Sequence, residues 1–125
     1  MIVGFDYWQV ISHYPEEIGS LCTALRFADH TVHVISAIGK GRIGTIVDDV
    51  QQHWAWFPAD NVHEVVFERS WQSPELKLAK CKELDITIFF DDRADVCQLL
   101  IANGILAFQV PRKDNTLSDI KGDRL

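Results

Sequence analysis

ITIFFDDRADV, residues 86–96, is the stretch that decides the fold. Its first five residues have the continuous apolar character of a strand buried on both faces of a parallel sheet. Two adjacent aspartates, Asp91 and Asp92, follow at once. A strand that ends in paired carboxylates concentrates negative charge at the edge of a sheet, where the charges either repel one another or hold a cation.

Four further apolar runs, at residues 1–5, 31–35, 62–67 and 105–110, have the same strand-like character. The segments between them carry helix signals, such as Pro15 in a first helical turn and Gly104 at a helix end. This alternation, with short connections, predicts an α/β fold: a three-layer arrangement with a mostly parallel five-stranded sheet. We expect residues 1–110 to form this domain and residues 111–125 to form a polar C-terminal tail.

Composition excludes several classes of protein. The formal net charge of −6 argues against a broad nucleic-acid-binding face. Three cysteines without C-x-x-C spacing predict reduced, buried thiols and a cytoplasmic protein. The sequence shows no basic leader and no long apolar span, so we expect no signal peptide and no membrane association.

Polar side chains with compatible chemistry are predicted at one edge of the sheet. Asp6 follows the first strand, Ser36 follows the second, and Asp91 and Asp92 follow the fourth, while Lys77 lies in the first turn of a helix. Ligands of open α/β sheets bind at the carboxyl ends of the strands. Carboxylates from two strands favour a hard divalent cation, of which Mg²⁺ fits best, and a metal with a lysine attracts phosphate. Asp6 could then attack phosphorus as a carboxylate nucleophile.

The order of these residues resembles the motifs of the haloacid dehalogenase (HAD) superfamily. GFDYWQVIS at 4–12 is similar to the first motif of that family, and VHVISA at 32–37 to the second. ELKLAKCKELDITIFFDD at 75–92 resembles the third and fourth motifs, a lysine followed by a strand that ends in two acids. The resemblance covers the chain to about residue 110 and implies a HAD-like Rossmannoid fold. The region from DDRADV to GILAFQV is also similar to capless nucleotide or nucleic-acid-end phosphatases of the superfamily.

The resemblance implies catalytic roles for three residues. Asp6 would be the nucleophile, Ser36 would donate a hydrogen bond to the transferred phosphoryl group, and Lys77 would neutralise its charge. The substrate would be a small phosphorylated molecule or a nucleotide.

The resemblance also implies a Mg²⁺ site. Asp6 and Asp92 would bind the ion with help from Asp91, and the main-chain carbonyl of Trp8 would complete the set. Asp95 is expected just outside these ligands.

One departure from the family concerns proton transfer. Its phosphatases use a second aspartate, two residues after the nucleophile, as general acid and base. Here that residue is Trp8, which cannot transfer a proton, and the following glycine is Gln9. The loss costs roughly 10²- to 10⁴-fold in rate, unless His13 or Glu16 substitutes. Two hypotheses follow: a phosphohydrolase or phosphotransferase, and a catalytically impaired domain that binds a phosphate-bearing ligand or a protein partner.

The family usually carries a cap domain, and this chain has no insertion long enough for one. The link at residues 7–14 is too short. An open site favours a large substrate, or a lid supplied by a second chain, either another copy or a different protein. Trp56 and Trp71, in predicted loops, could line such an interface.

GKGRIG at residues 39–44 is a G-x-G-x-x-G between a strand and a helix, and Glu68 stands about where a dinucleotide fold places its ribose-binding acid. Dinucleotide binding is therefore one interpretation of this loop, and a plain turn is another. In a third, Lys40, Arg42 and the loop N–H groups hold an anion beside Ser36, which makes both cations candidate substrate-binding residues.

Overall fold

The computed structural model of the chain describes residues 1–118, so residues 119–125 of the predicted tail lie outside the described part. Strands and helices alternate along it. The elements are β1 Ile2–Phe5, α1 Pro15–Phe27, β2 Thr31–Gly39, α2 Ile46–His53, β3 Val62–Phe67, α3 Ser73–Glu83, β4 Ile88–Asp91, α4 Ala94–Ala102 and β5 Leu106–Gln109.

The five strands form one parallel sheet in the order β3-β2-β1-β4-β5. The chain winds from β1 outward to β3 and then crosses to the other side of β1 to continue with β4 and β5. The predicted three-layer Rossmannoid α/β fold is confirmed. The direction of winding reverses between β1 and β4, which makes their carboxyl ends the topological switch point where such sheets bind ligands.

Two apolar clusters cover the two faces of the sheet. Helices α1 and α2 contribute Cys22, Ile46 and Val50 to the first cluster, and α3 and α4 contribute residues such as Leu78 and Leu100 to the second. The prediction of buried, reduced cysteines is confirmed, because all three are buried free thiols: Cys22, Cys81 and Cys97.

Strand β2 is longer than the sequence predicts. It continues to Gly39 because the second half of the strand, from Val34 to Gly39, pairs residue by residue with β3. Ser36 therefore lies within the strand and not after it, and that part of the prediction is wrong. The fourth strand is shifted in the same direction, since β4 begins at Ile88 and includes Asp91.

The segment after β5 is mostly exposed in residues 113–117 but contacts the domain again at Ser118. Ser118 is buried, and its hydroxyl accepts a hydrogen bond from the Ala94 N–H at the start of α4. Among the helices of residues 1–118, none is long and apolar enough to cross a membrane.

Candidate functional site

Three aspartates meet at the switch point of the sheet. Asp6 directly follows β1, Asp91 ends β4 and Asp92 comes next, and the two strands are neighbours with Phe5 opposite Phe90. One oxygen of each carboxylate lies within 4.8 Å of the other two, and all three residues are buried. The sheet itself sets this arrangement, because the Asp6 N–H donates to the carbonyl oxygen of Phe90 at 2.9 Å.

Lys77 is the buried cation of this cluster. Its Nζ lies 2.5 Å from Asp91 Oδ2 and 3.1 Å from Asp6 Oδ1. The residue belongs to a buried stripe of α3 with Ser73 and Cys81, one helical turn apart from each other. Lys77 reaches the sheet because long helical side chains lean toward the N-terminus of their helix, which here points to the site.

The cluster holds more negative charge than its cations balance. Lys77 contacts two of the three carboxylates, and the only other side-chain cation that contacts them within residues 1–118 is Arg112, whose Nε lies 3.4 Å from Asp92 Oδ2. Burial and the charge of Asp91 raise the pKa of Asp6 well above its usual range, against the opposing effect of Lys77. Burial and Asp91 also raise the pKa of Asp92.

Two of the three carboxyl groups keep Lys77 charged. Its contacts with Asp6 and Asp91 raise its pKa despite the burial. Because the pKa values of Asp6 and Asp92 are raised, a cation that binds their ionised carboxylates would compete with protons.

The side chains of this cluster fit a hard divalent cation. They supply oxygen donors only, they are buried, and they carry excess negative charge, all of which suit Mg²⁺. Both oxygens of Asp91 are already engaged, Oδ2 with Lys77 and Oδ1 with the N–H of Arg93 at 3.0 Å. Asp6 and Asp92 are therefore the better candidates for direct ligands, and Asp91 is the better candidate for orienting Lys77.

Ser36 stands apart from this hydrogen-bonded cluster. It is fully buried in β2 opposite Glu64, and its Oγ has no hydrogen-bond partner within the described residues. Alternation along the strand puts it on the face of Val34 and Ile38, which belong to the first apolar cluster. Its contact with a phosphoryl group stays a prediction.

Trp8 lies in the link predicted to be a loop, and its backbone there is extended, with a φ of −66° and a ψ of 134°. Its indole stacks under the guanidinium of Arg42 at 4.8 Å, meets the Tyr7 ring edge-on, and is 39 % exposed. Gln9 has a φ of 66°, in the left-handed region that glycine favours. The metal contact of the Trp8 carbonyl stays a prediction.

The glycine-rich loop is not open to an anion in the way the sequence suggests. The Glu64 carboxylate accepts hydrogen bonds from the N–H of Gly44, at 2.8 and 3.0 Å, and from the N–H of Ile46 at 3.1 Å. An internal carboxylate thus occupies the start of α2, where a dinucleotide would need to bind its pyrophosphate. This arrangement argues against dinucleotide binding at the loop.

The two cations of that loop are exposed and paired. Lys40 Nζ lies 3.2 Å from Glu68 Oε1, so the acid suggested as a ribose ligand is a local ion-pair partner. Arg42 lies 3.8 Å from Asp49 and stacks on Trp8, which sits two residues after Asp6. Of the two, Arg42 is therefore the better candidate for a substrate contact.

The remaining acids and bases predicted near the site lie elsewhere or contact other groups. Asp95 forms a 2.7 Å ion pair with Arg93. Glu16 lines a groove beside α1. The Nδ1 atom of His13 is buried without a hydrogen-bond partner among residues 1–118, and a role for this residue in proton transfer stays a prediction.

Several residues at the site were not predicted from the sequence. Arg112 contacts Asp92, and the hydroxyl of Ser118 donates to the carbonyl oxygen of Asp92 at 3.0 Å. The Tyr14 hydroxyl lies 2.7 Å from the carbonyl oxygen of Pro111 and 2.9 Å from that of Arg112. The position of Arg112 in the sequence could have identified it. It is a cation just after the last strand, so it lies at the same edge of the sheet as the three aspartates.

Ser73 is a further buried polar residue on the helix that carries Lys77. It is buried at the first position of α3, one turn before Lys77, and its Oγ has no hydrogen-bond partner among the described residues. A buried hydroxyl costs free energy when it has no partner. A ligand beside Lys77 would supply one.

Comparison with known proteins identifies no relative. No family model, no curated protein and no solved structure matches the chain. The HAD resemblance consequently rests on the order of the sequence motifs and stays a prediction.

Proposed function

We propose that the chain is a Mg²⁺-dependent, HAD-like phosphohydrolase or phosphotransferase that uses Asp6 as its nucleophile. The observation that supports this most is the buried cluster in which the carboxylates of Asp6, Asp91 and Asp92 lie within 4.8 Å and Lys77 bridges two of them. The substrate class that suits it is a small phosphorylated molecule or a nucleotide.

In the proposed reaction, an oxygen of Asp6 attacks phosphorus while the bond from phosphorus to the leaving oxygen breaks. The leaving group departs with that electron pair, and Asp6 becomes an acyl phosphate. Water, or an acceptor hydroxyl in a transferase, then attacks the same phosphorus while the bond from phosphorus to Asp6 breaks and its electron pair returns to the carboxylate. The proton of the attacking group passes to solvent or to a phosphoryl oxygen. Lys77 offsets negative charge on the phosphoryl oxygens in both steps.

Asp6 and Asp92 would hold Mg²⁺, with the Trp8 carbonyl as a further ligand, and the ion would supply positive charge to the phosphoryl oxygens. Ser36 and Ser73 would donate hydrogen bonds to the same oxygens, since each has a buried hydroxyl without a partner in residues 1–118. Arg42 and Lys40 would contact more distant parts of the substrate. The left-handed backbone of Gln9 supports the HAD resemblance, because that family has a glycine at this position.

The tryptophan at position 8 restricts the choice of substrate. It leaves the reaction without a dedicated acid for the leaving group, so esters of weakly acidic alcohols should react slowly. The leaving groups of phosphoanhydrides, acyl phosphates and aryl phosphates depart without a proton, so these compounds should react fastest. Rates across such a panel should therefore fall steeply as the pKa of the leaving group rises.

The direct test is phosphate release from this panel with and without Mg²⁺. We expect Asp6→Asn to abolish the activity and Lys80→Met, a change to a cation on the same helix that pairs with Glu83 instead, to leave it unchanged. Activity that persists in the Asp6→Asn variant would exclude Asp6 as the nucleophile. Activity that survives removal of divalent ions would exclude the metal requirement.

The second candidate function is a catalytically impaired HAD-like domain that binds a phosphate-bearing ligand or a protein partner, and Trp8 is the observation that favours it. In that case wild type is inert on the whole panel yet binds Mg²⁺ and orthophosphate in calorimetry. Trp8→Asp should then gain hydrolysis of alkyl phosphates. An inert protein that also fails to bind either probe would contradict both candidate functions.

Two further parts of the proposal concern the surroundings of the protein. The three free thiols support a reducing compartment such as the cytoplasm. The link at residues 7–14 leaves no room for a cap within the chain, so a second chain, another copy or a different protein, is the proposed source of a lid.

A further inference from the structure

A groove lies beside α1, on the layer that does not contribute Lys77. It encloses about 1040 Å³. One wall is α1, including Gly19, Thr23 and Phe27, and the other includes Trp54 and Trp56. Its floor is held in place, because the Trp54 Nε1–H donates to the carbonyl oxygen of Pro15 at 2.9 Å.

The groove side of α1 is exposed but uncharged in its middle. Ser20, Thr23, Ala24 and Ala28 are small exposed residues on this side, and Phe27 is 91 % exposed at its end. A surface helix normally presents charged residues to water, and a large aromatic ring normally avoids such exposure. Small side chains also let a second helix approach to the short end of the usual 8–10 Å interaxial distance.

The charges of α1 are confined to its two ends. Glu16 and Glu17 lie in the first turn, and Arg26 lies in the last turn, where its guanidinium stacks on Trp56 at 5.1 Å. An antiparallel copy of the same helix would bring acidic ends against basic ends. The macrodipoles of the two helices would oppose each other favourably in the same arrangement.

We infer that this groove binds a second copy of the chain, through two-fold antiparallel pairing of α1 with itself. With the axis at the level of Leu21, Glu16 faces Arg26 of the other copy, and Gly19 faces Thr23. Phe27 then faces Pro15 of the other copy, at the end of the groove beside Trp54. Each copy thus contributes one protruding ring and one groove that receives a ring, as an isologous interface requires.

This pairing does not depend on the proposed chemistry, because it uses none of the residues of the acidic cluster. The features of this groove favour a second copy of the chain over a different protein. The groove is open along its length, and the charges that flank it match those of α1 itself.

The first test measures mass in solution by light scattering and sedimentation over a range of concentrations. We expect wild type to be a dimer, and Phe27→Glu and Ala24→Arg to be monomers with unchanged far-UV circular dichroism. Ile101→Glu is the matched control, since Ile101 is 54 % exposed on α4, in the opposite layer. A wild type that stays monomeric at every concentration measured would overturn the inference.

A dimer could also form elsewhere, for example on β5, where Phe108 is 47 % exposed. Dissociation by Phe108→Glu or Ile101→Glu, with no effect of Phe27→Glu, would therefore overturn the inference as well.

The second test reverses charges at the two ends of α1. One variant carries Glu16→Arg with Glu17→Arg, and the other carries Arg26→Glu. Each alone should dimerise several-fold more weakly, because like charges meet and exposed pairs are worth about 0.2–1 kcal/mol each.

A mixture of the two charge variants should form a heterodimer at wild-type strength or better. Arg26→Glu lacks the Arg26–Trp56 contact both alone and in the mixture, so rescue in the mixture can only come from charge pairing between the two helices. Equal weakening of the mixture and the single variants would rule out the antiparallel arrangement.

Discussion

Lys77 is the residue on which the charge balance of the site depends. It is buried and contacts two buried carboxylates, Asp6 at 3.1 Å and Asp91 at 2.5 Å. Removal of one member of a buried ion pair leaves an uncompensated charge and typically costs about 3–5 kcal/mol. We expect Lys77→Met to lower the free energy of unfolding at neutral pH by this amount, as measured by urea denaturation.

The loss in Lys77→Met should be smaller near pH 5, where the buried acids can take up protons. Lys80→Met is the control, because Lys80 is paired with the more exposed Glu83 and exposed pairs contribute about 0–1 kcal/mol. Equal costs for the two substitutions would contradict the central role of Lys77.

Asp6 should make the stability of the metal-free protein fall as pH rises. Its pKa in the folded protein is raised by burial and by Asp91 above the reference value of 3.8. Above pH 3.8 the folded state therefore holds a proton that the unfolded chain releases, and stability decreases until the folded group also ionises. Asp6→Asn lacks this decrease, so it should melt higher than wild type at pH 8 while losing activity.

The measurement is melting temperature against pH, with and without Mg²⁺. Because the ion binds the ionised carboxylates, it should stabilise wild type more at pH 8 than at pH 5 and should have little effect on Asp6→Asn. A wild type that gains stability with pH relative to Asp6→Asn would show that Asp6 is ionised without a metal.

Ser73 offers a way to separate stability from binding. Its buried Oγ has no partner among the described residues, so Ser73→Ala should leave the free energy of unfolding unchanged or raise it by up to about 1 kcal/mol. If the hydroxyl serves a phosphoryl group beside Lys77, the same variant should bind orthophosphate several-fold more weakly in calorimetry with Mg²⁺. Ser20→Ala, on α1, is the control. Unchanged phosphate affinity in Ser73→Ala would remove the residue from the proposed site.

At the scale of elements, Glu64 caps the start of α2 from a neighbouring strand. It accepts from the N–H of Gly44, which precedes the helix, and from the N–H of Ile46, which the helix itself leaves without a partner. We expect Glu64→Ala to cost about 0.5–2 kcal/mol, as other cap deletions do, and Glu64→Gln to cost less because an amide oxygen still accepts. Glu68→Ala is the control, since the Glu68 carboxylate pairs with the exposed Lys40. Urea denaturation distinguishes the three, and a Glu64→Ala variant as stable as Glu68→Ala would show that the cap is unimportant.

The start and type of most elements could be predicted from local pattern, whereas strand ends depended on pairing. β3 has the predicted bounds, Val62–Phe67, because turn-forming residues limit it on both sides. β2 extends beyond the predicted apolar run because it pairs with β3, which continues to Phe67. A polar residue such as Ser36 looks like a strand end in the sequence, yet a central strand can bury it.

The part of the candidate site that depends on the order of the strands could be predicted from the sequence. Asp6, Asp91 and Asp92 converge because each follows or ends one of two adjacent parallel strands, and Lys77 joins them from α3. The spacing of residues in the sequence does not show which cations already form ion pairs or which N–H groups already have acceptors. The Glu64 carboxylate at the glycine-rich loop comes from a different strand, and its contact with Gly44 depends on the register of β2 and β3.

At the scale of the whole molecule, the cysteines report on the two apolar clusters separately. Cys22 lies in the first cluster and Cys81 and Cys97 lie in the second. Burial raises the pKa of each thiol to about 12, so the native thiols should not react with a disulfide reagent at pH 8. If the sheet and both layers unfold as one unit, mass spectrometry should find all three labelled at one common rate.

Faster labelling of Cys22 than of Cys81 and Cys97 would show instead that the α1–α2 layer opens on its own. Cys22→Ala and Cys97→Ala would serve to assign the rates.

The contact of Tyr14 with the backbone after β5 has a mechanical consequence. One phenol lies within hydrogen-bond distance of the carbonyl oxygens of both Pro111 and Arg112, 97 and 98 positions along the chain. It connects the residue just before α1 to the segment after β5. The bond restrains the backbone at Arg112, from which the guanidinium reaches Asp92 at 3.4 Å. A displacement of Tyr14 would therefore shift the backbone that carries this cation, although Tyr14 itself forms no hydrogen bond with the acids within residues 1–118.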